Sequence, residues 1–249
     1  VLPKEMLDGV NGYQWTILDF EKYWAAAKND TPVLKAFGDF SDTPLLNISK
    51  VKRMVDTSWY KADEKQMTIN TLEELYGFWL LSNSTTFEGQ TIKLGKDIAV
   101  NRADAKLVSS WKKGTAKPTN TWFPIGSKAM QFKGTFDGQG HNIIGMYAVK
   151  PALSTNSSAG LFGYVDTAVI KNTRLINGYV QMDQRVGSFA ASSIATKFES
   201  LYSDVIVKGT GNNIGGLVGE LTFGGGLTNC WFKGTVNGGQ FVGGLVGRT

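Results

Sequence analysis

The 249 residues carry 26 Lys and Arg against 21 Asp and Glu, a formal charge of +5, and 42% of them are hydrophobic. That is ample apolar mass for a core, and the mild positive balance without a dense basic run argues against a nucleic-acid surface. One cysteine, Cys230, rules out an intrachain disulfide and reads as a small buried apolar residue. No apolar run approaches the ~18 residues of a membrane span, and the start does not read as a signal peptide.

Taken in chain order, residues 1–57 form a small mixed segment rich in aromatics (Trp15, Phe20, Tyr23, Trp24, Phe37, Phe40). Ile17 to Trp24 and the following alanines predict a short helix stopped at Asn29-Asp30-Thr31-Pro32. Residues 58–86 read as a connector and capping helix, because Thr71 and Glu74 make a capping-box pattern ahead of Leu72, Leu75 and Phe78 on one face. From Phe87 the period changes to two: Thr91-Ile92-Lys93-Leu94 and Asp97-Ile98-Ala99-Val100 alternate as strands do. After that the pattern predicts short β segments and no further helix.

Residues 87–249 carry an internal repeat. Ala159-Gly160-Leu161-Phe162-Gly163 returns as Val186-Gly187-Ser188-Phe189-Ala190, Gly215-Gly216-Leu217-Val218-Gly219 and Gly243-Gly244-Leu245-Val246-Gly247. Aligned on these cores, Phe162, Phe189, Val218 and Val246 form one apolar column, and Gly160, Gly187, Gly216 and Gly244 precede it. Ile170-Lys171-Asn172, Phe198-Glu199-Ser200 and Leu227-Thr228-Asn229 form a second set, whose aligned Asn and Ser are placed to bond the backbone of the neighbouring repeat. A unit of about 28 residues that must stack on copies of itself predicts a mainly β solenoid, a parallel β-helix of about five or six coils. Gly contributes 30 residues against an average near 7%, as close backbone stacking requires. The chain stops just after a repeat core without an atypical capping unit, which reads as a fragment of a longer protein.

From Trp59 onward the chain resembles the GLUG-motif family of bacterial surface proteins, which includes adhesin-like proteins and non-catalytic parts of IgA1-protease-type peptidases. The resemblance is carried, in order, by Trp59-Tyr60, Thr68-Ile69-Asn70-Thr71, Phe87-Glu88-Gly89-Gln90-Thr91-Ile92 and Trp122-Phe123-Pro124-Ile125-Gly126. Phe132-Lys133-Gly134-Thr135-Phe136-Asp137-Gly138-Gln139-Gly140-His141-Asn142-Ile143 and the Gly-Leu-Phe/Val-Gly cores complete it. The second core departs from the pattern (Gly-Ser-Phe-Ala), and residues 1–57 match nothing in it. It implies a right-handed β-helix with the Thr71 helix near its N-terminal end, in a secreted or cell-surface bacterial protein. The implied function is a non-catalytic adhesin that binds a host or matrix protein or a glycan, with no cofactor or metal. Alternatives are a polysaccharide lyase or hydrolase built on the same scaffold, and an accessory region of a larger surface peptidase.

Catalytic candidates are sparse. His141, the sole histidine, would need a carboxylate or nucleophile fixed beside it. Asp97, Asp137, Asp166, Asp183, Glu199 and Asp204 fall in different repeat phases, so no carboxylate pair faces itself across neighbouring coils. Gly209-Thr210-Gly211-Asn212-Asn213-Ile214-Gly215 only approximates a phosphate loop and no helix follows. The binding candidates are aromatics, namely Trp111, Trp122, Phe123 and Trp231. Trp111 with Lys112 and Lys113, in a basic insertion, leads them, with Trp122 close by.

Overall fold

The computed structural model describes residues 24–25, 33–34, 55–149 and 158–249. The chain divides into two compact units, Val1–Val55 and Asp56–Thr249. In the first, Trp24–Ala25 pairs antiparallel with Val33–Leu34. Trp24 and the alanine after it are therefore strand, not helix, with backbone pairing to Val33 and Leu34 prevailing over helical propensity. The rest of the helix expected from Ile17 lies outside the described residues.

In the second unit every strand pairing among the described residues is parallel. The fold is mainly β, and three parallel sheets carry most of it. One stacks Gln66–Ile69, Thr91–Leu94, Thr135–Asp137, Val169–Ile176, Lys197–Ser203 and Gly226–Thr228; the second stacks Tyr147–Val149, Tyr179–Met182, Ile206–Gly209 and Thr235–Asn237. The third stacks Phe162–Asp166, Ala190–Ile194, Val218–Thr222 and Val246–Arg248. Parallel neighbours need a long connection between them, and here each repeat visits all three sheets before returning. Val169 stands beside Lys197 and Lys197 beside Gly226, each partner one repeat further along the chain. Tyr179 stands beside Ile206 and Ile206 beside Thr235 in the same way.

The core column differs by one place from the sequence alignment. Phe162 pairs with Ala190, which pairs with Val218, which pairs with Val246. Ala159, just ahead of Phe162, is bridged to Val186. The first repeat thus holds one residue fewer between these two pairings than the second and third, and in those two consecutive backbone N–H groups share one acceptor: Phe189 and Ala190 donate to Leu217 O, and Leu217 and Val218 to Leu245 O, at 2.9–3.2 Å. A one-residue difference between repeats is absorbed locally in this way without turning the strands over. Phe189 stays fully buried one position ahead of the column. Gly187 and Gly216 lie where backbones press together: a Cβ on Gly187 would come 2.5 Å from Leu217 O and one on Gly216 2.1 Å from Gly244 O.

Bends between strands recur in register as left-handed residues. Asn172, Ser200 and Asn229 have φ of 54°, 55° and 51°. Thr167, Ala195 and Phe223 form a second such column, and Arg185, Asn213 and Phe241 a third. Asn adopts this conformation at less cost than a β-branched residue such as Thr167. The Asn and Ser column therefore acts through backbone conformation rather than as the expected amide ladder: Asn172 Nδ2 donates to Asp137 Oδ1 at 3.0 Å, not to backbone.

The first helix, α1 (Leu72–Leu81), closes one end of the core. Its N-cap Thr71 accepts from Glu74 N while the Glu74 carboxylate accepts from Thr71 N, the reciprocal capping box expected from the sequence. Leu75, Tyr76, Gly77 and Phe78 face inward. Phe78 contacts Phe87, Phe132, Phe136 and Phe162, with ring centroids 4.9–6.2 Å apart. Aromatic side chains bury about 150–250 Å² each, so this cluster supplies a large share of the apolar burial at that end.

A second helix, α2 (Ala105–Lys113), occupies the segment read as a non-helical insertion. Asp104 caps it by accepting from Leu107 N at 2.8 Å, Gly114 leaves it at φ 72°, and Lys112 and Lys113 sit in the last turn. Those are favourable ends for a helix dipole. The base of this excursion is clamped by Asn101, whose amide reaches Asn120 O and Gly145 O at 2.8 and 2.9 Å and accepts from Asn120 N.

Candidate functional site

Two residues beyond the left-handed column of Asn172, Ser200 and Asn229 lie Arg174, Tyr202 and Trp231. They are paired in register, Arg174 beside Tyr202 and Tyr202 beside Trp231. Strand alternation decides which way they point. Thr173 and Leu175 are buried on either side of Arg174, and Leu201 and Ser203 on either side of Tyr202, so these two side chains face outward, and Trp231, between half-buried Cys230 and Phe232, is exposed on the same line. An open groove of about 900 Å³ runs along this column. Gln139, Asn172, Arg174, Ser200, Tyr202 and Trp231 are among its walls.

Trp231 is 61% exposed, one of several large apolar side chains so placed in the last repeat, with Phe223 at 83% and Phe241 at 55%. Among the described residues Arg174 makes no ion pair, and the Tyr202 hydroxyl and Trp231 indole N–H hold no partner. No acidic side chain lines the groove, and Arg174 is its charged member. The column therefore offers two π faces and one guanidinium fork along a single line, at the ~4.8 Å spacing of stacked strands.

Most of the candidate carboxylates are committed elsewhere, whereas Glu199, just ahead of Ser200, makes no ion pair among the described residues. Asp97 accepts from Asn142 N at 2.9 Å and Asn142 Nδ2 at 2.6 Å, and its Oδ1 lies 3.2 Å from His141 Nδ1. The Asn142 bonds first, then the His141 contact, hold this carboxyl below its ordinary range. The pair supplies the carboxylate beside His141 that base chemistry needs, but it ties one repeat to the next at an exposed corner. For Asp137, burial opposes ionisation, yet hydrogen bonds from Asn172 and Gln139 and the charge of Lys171 outweigh it and hold the group low. Asp166 pairs with Lys133 at 3.3 Å, and Asp204 accepts from Asn177 N. Glu220 collects Arg185 Nε, Asn213 Nδ2 and Ser192 Oγ at 3.1–3.3 Å, a clamp across successive repeats.

The aromatics expected to bind are mostly in the core. Trp111 is 4% exposed and packs on Tyr147 and Tyr179, because Val108 and Trp111 form the buried stripe of α2. Trp122 is 2% exposed, stacks on Tyr76 at 5.6 Å and donates Nε1–H to Leu161 O. Phe123 lies against Trp79 at 4.9 Å. Lys112 and Lys113 remain exposed on α2, without an aromatic partner from Trp111. Of the four aromatics, Trp231 alone presents its ring. Sequence reasoning misses Arg174 and Tyr202, although they lie two places past an aligned column at the same spacing. Cys230 is half-buried next to Trp231, with its thiol pushed up by burial, which suits a packed sulfur rather than a nucleophile. Among the described residues no group of His, Cys, Asp and Glu gathers to hold a metal, and no helix is long and apolar enough to cross a membrane.

No family model matches the chain. Over 161 residues, 63% of its length, it is 32% identical to Halomucin from Haloquadratum walsbyi (strain DSM 16790 / HBSQ001), and this stretch spans 2% of that protein. A Bacteroides ovatus protein solved as a candidate immunoglobulin A1 protease aligns over 75% of this chain and 62% of its own, at 17% identity and a TM-score of 0.46. A structural likeness at that level carries no argument. The GLUG-motif resemblance accordingly rests on the residues that suggested it.

Proposed function

We propose that the second unit is a right-handed parallel β-helix, and that it serves as a non-catalytic, adhesin-like module of a secreted or cell-surface protein. Its ligand lies in the groove that crosses successive repeats. Support for the solenoid comes from the parallel registers, which join each strand of the later repeats to its counterpart in the next. Support for binding comes from one observation above the others: Arg174, Tyr202 and Trp231 stand in one outward column with their polar groups unengaged. A solvent-facing Trp next to a Tyr and an Arg is the composition of binding hot spots. The groove's lack of acidic side chains favours holding over hydrolysis, since glycoside cleavage uses paired carboxylates.

The test is a screen of the purified chain and its Trp231→Ala variant against immobilised glycans and matrix proteins, with each hit then incubated and assayed for cleavage. Saturable binding that the variant loses, with the hit left intact, is expected. Cleavage of the hit, or binding indifferent to Trp231, would overturn the proposal.

A further inference from the structure

We infer that the groove selects an acidic sugar chain, running across the repeats and parallel to the direction in which they stack; the inference rests on the binding role proposed above. Two features of the column fix the ligand class. The first is the pair of aromatic rings on successive strands. Stacked repeats recur every ~4.8 Å, close to the length of one pyranose unit in an extended chain. Tyr202 and Trp231 can therefore each lie under a consecutive sugar and cover its C–H face. Flat aromatic platforms bury such apolar faces while the ring hydroxyls stay wet.

The second feature is Arg174. It continues the line of rings, is exposed, and is without a carboxylate partner among the described residues. Of the acids on the neighbouring turns, Asp137 is engaged with Lys171 and Asn172, and Glu199, just ahead of Ser200, stands in register beside Lys171 on the adjacent strand rather than in the groove wall. A guanidinium with free donors meets a carboxylate or sulfate through two parallel hydrogen bonds. The remaining walls, Gln139, Asn172 and Ser200, are neutral and can serve hydroxyls. A neutral glycan would satisfy the rings and leave the guanidinium without an anion, while an acidic peptide would satisfy the guanidinium and leave the rings without flat faces to cover.

The purified chain is titrated calorimetrically with an oligogalacturonate, with a sulfated oligosaccharide of similar length and with a neutral xylo-oligosaccharide. Wild-type protein is expected to bind one or both acidic oligomers at least about tenfold more tightly than the neutral one, the scale of a charged hydrogen bond, and the preference should shrink as salt is raised. Arg174→Gln should abolish the preference while retaining the neutral affinity, and Trp231→Ala should weaken every sugar alike. Equal binding of acidic and neutral oligomers, or a preference untouched by Arg174→Gln, overturns the inference. Binding of a matrix protein through Trp231 with no sugar bound overturns it too but leaves the proposed function standing, whereas loss of nothing on Trp231→Ala sinks both.

Discussion

Asp97 and His141 meet at 3.2 Å from distant points of the chain, and the same carboxylate takes two hydrogen bonds from Asn142. The contact bridges the strand Ile98–Ala99 to its parallel neighbour Asn142–Ile144. Because the native state holds Asp97 and Asp137 ionised below the unfolded value of about 3.9, both contribute stability above that pH. That contribution is lost as pH falls through their lowered native values. Urea midpoints should be nearly flat down to about pH 5 and drop below about pH 4, and Asp97→Asn should give a lower plateau with a shallower acid limb. An acid limb identical to wild type would show that the Asp97 corner is idle.

Phe78 sits where α1 meets the first repeats, in ring contact with four other phenylalanines. Phe78→Ala should cost about 3–5 kcal/mol in chemical denaturation, since several rigid rings cannot collapse into one hole. Trp79→Ala, at a half-buried position on the same helix, should cost less. Equal losses would mean that α1 is docked by its whole surface rather than by this face.

Glycines of the repeat divide into two kinds that a Cβ tells apart. At Gly215 it would fall 1.9 Å from Val218 O, whereas at Gly244 nothing lies within 4 Å. Gly215→Ala is expected to cost at least about 3 kcal/mol or to prevent folding, and Gly244→Ala to stay within about 0.5 kcal/mol. Thermal melts of the two variants side by side make the comparison.

Ala195 holds φ 45° in the bend column between Thr167 and Phe223. Left-handed backbone costs an L-residue about 1–2 kcal/mol, and Gly loses about 0.5–1 kcal/mol of that advantage to unfolded-chain entropy. Ala195→Gly should therefore raise stability by a few tenths to about 1 kcal/mol. A melting temperature that falls would show that the methyl group packs usefully at the bend.

The capping box of Thr71 and Glu74 and the period of the repeat are legible in the sequence because each is a local or periodic pattern. The one-place offset at Phe189 is not, since Phe189 and Ala190 are both small enough or apolar enough to fill a buried column, and only backbone pairing separates them. Helix α2 escapes a sequence reading because it is short and polar and interrupts a β pattern; its signals are Asp104 ahead of it, Gly114 behind it and Val108 with Trp111 one turn apart. That same spacing buries Trp111, which sequence polarity places at the surface. The groove column emerges only when the Asn172 alignment is extended by two residues, where the outward side chains change from Arg to Tyr to Trp. Such a change looks like decay of the repeat, yet on an outward face nothing in the packing demands identity.

The parallel register also sorts mutations by length. One residue added inside a strand would send every later side chain to the opposite face unless it is absorbed locally, as the one-residue difference between the first and second repeats is. Duplicating one whole repeat restores the register and displaces everything beyond it by a single strand spacing, ~4.8 Å. Gene duplication can thus lengthen this scaffold in equal increments, adding one more outward position to the line of Arg174, Tyr202 and Trp231 each time, and selection can then choose that side chain without consulting the core.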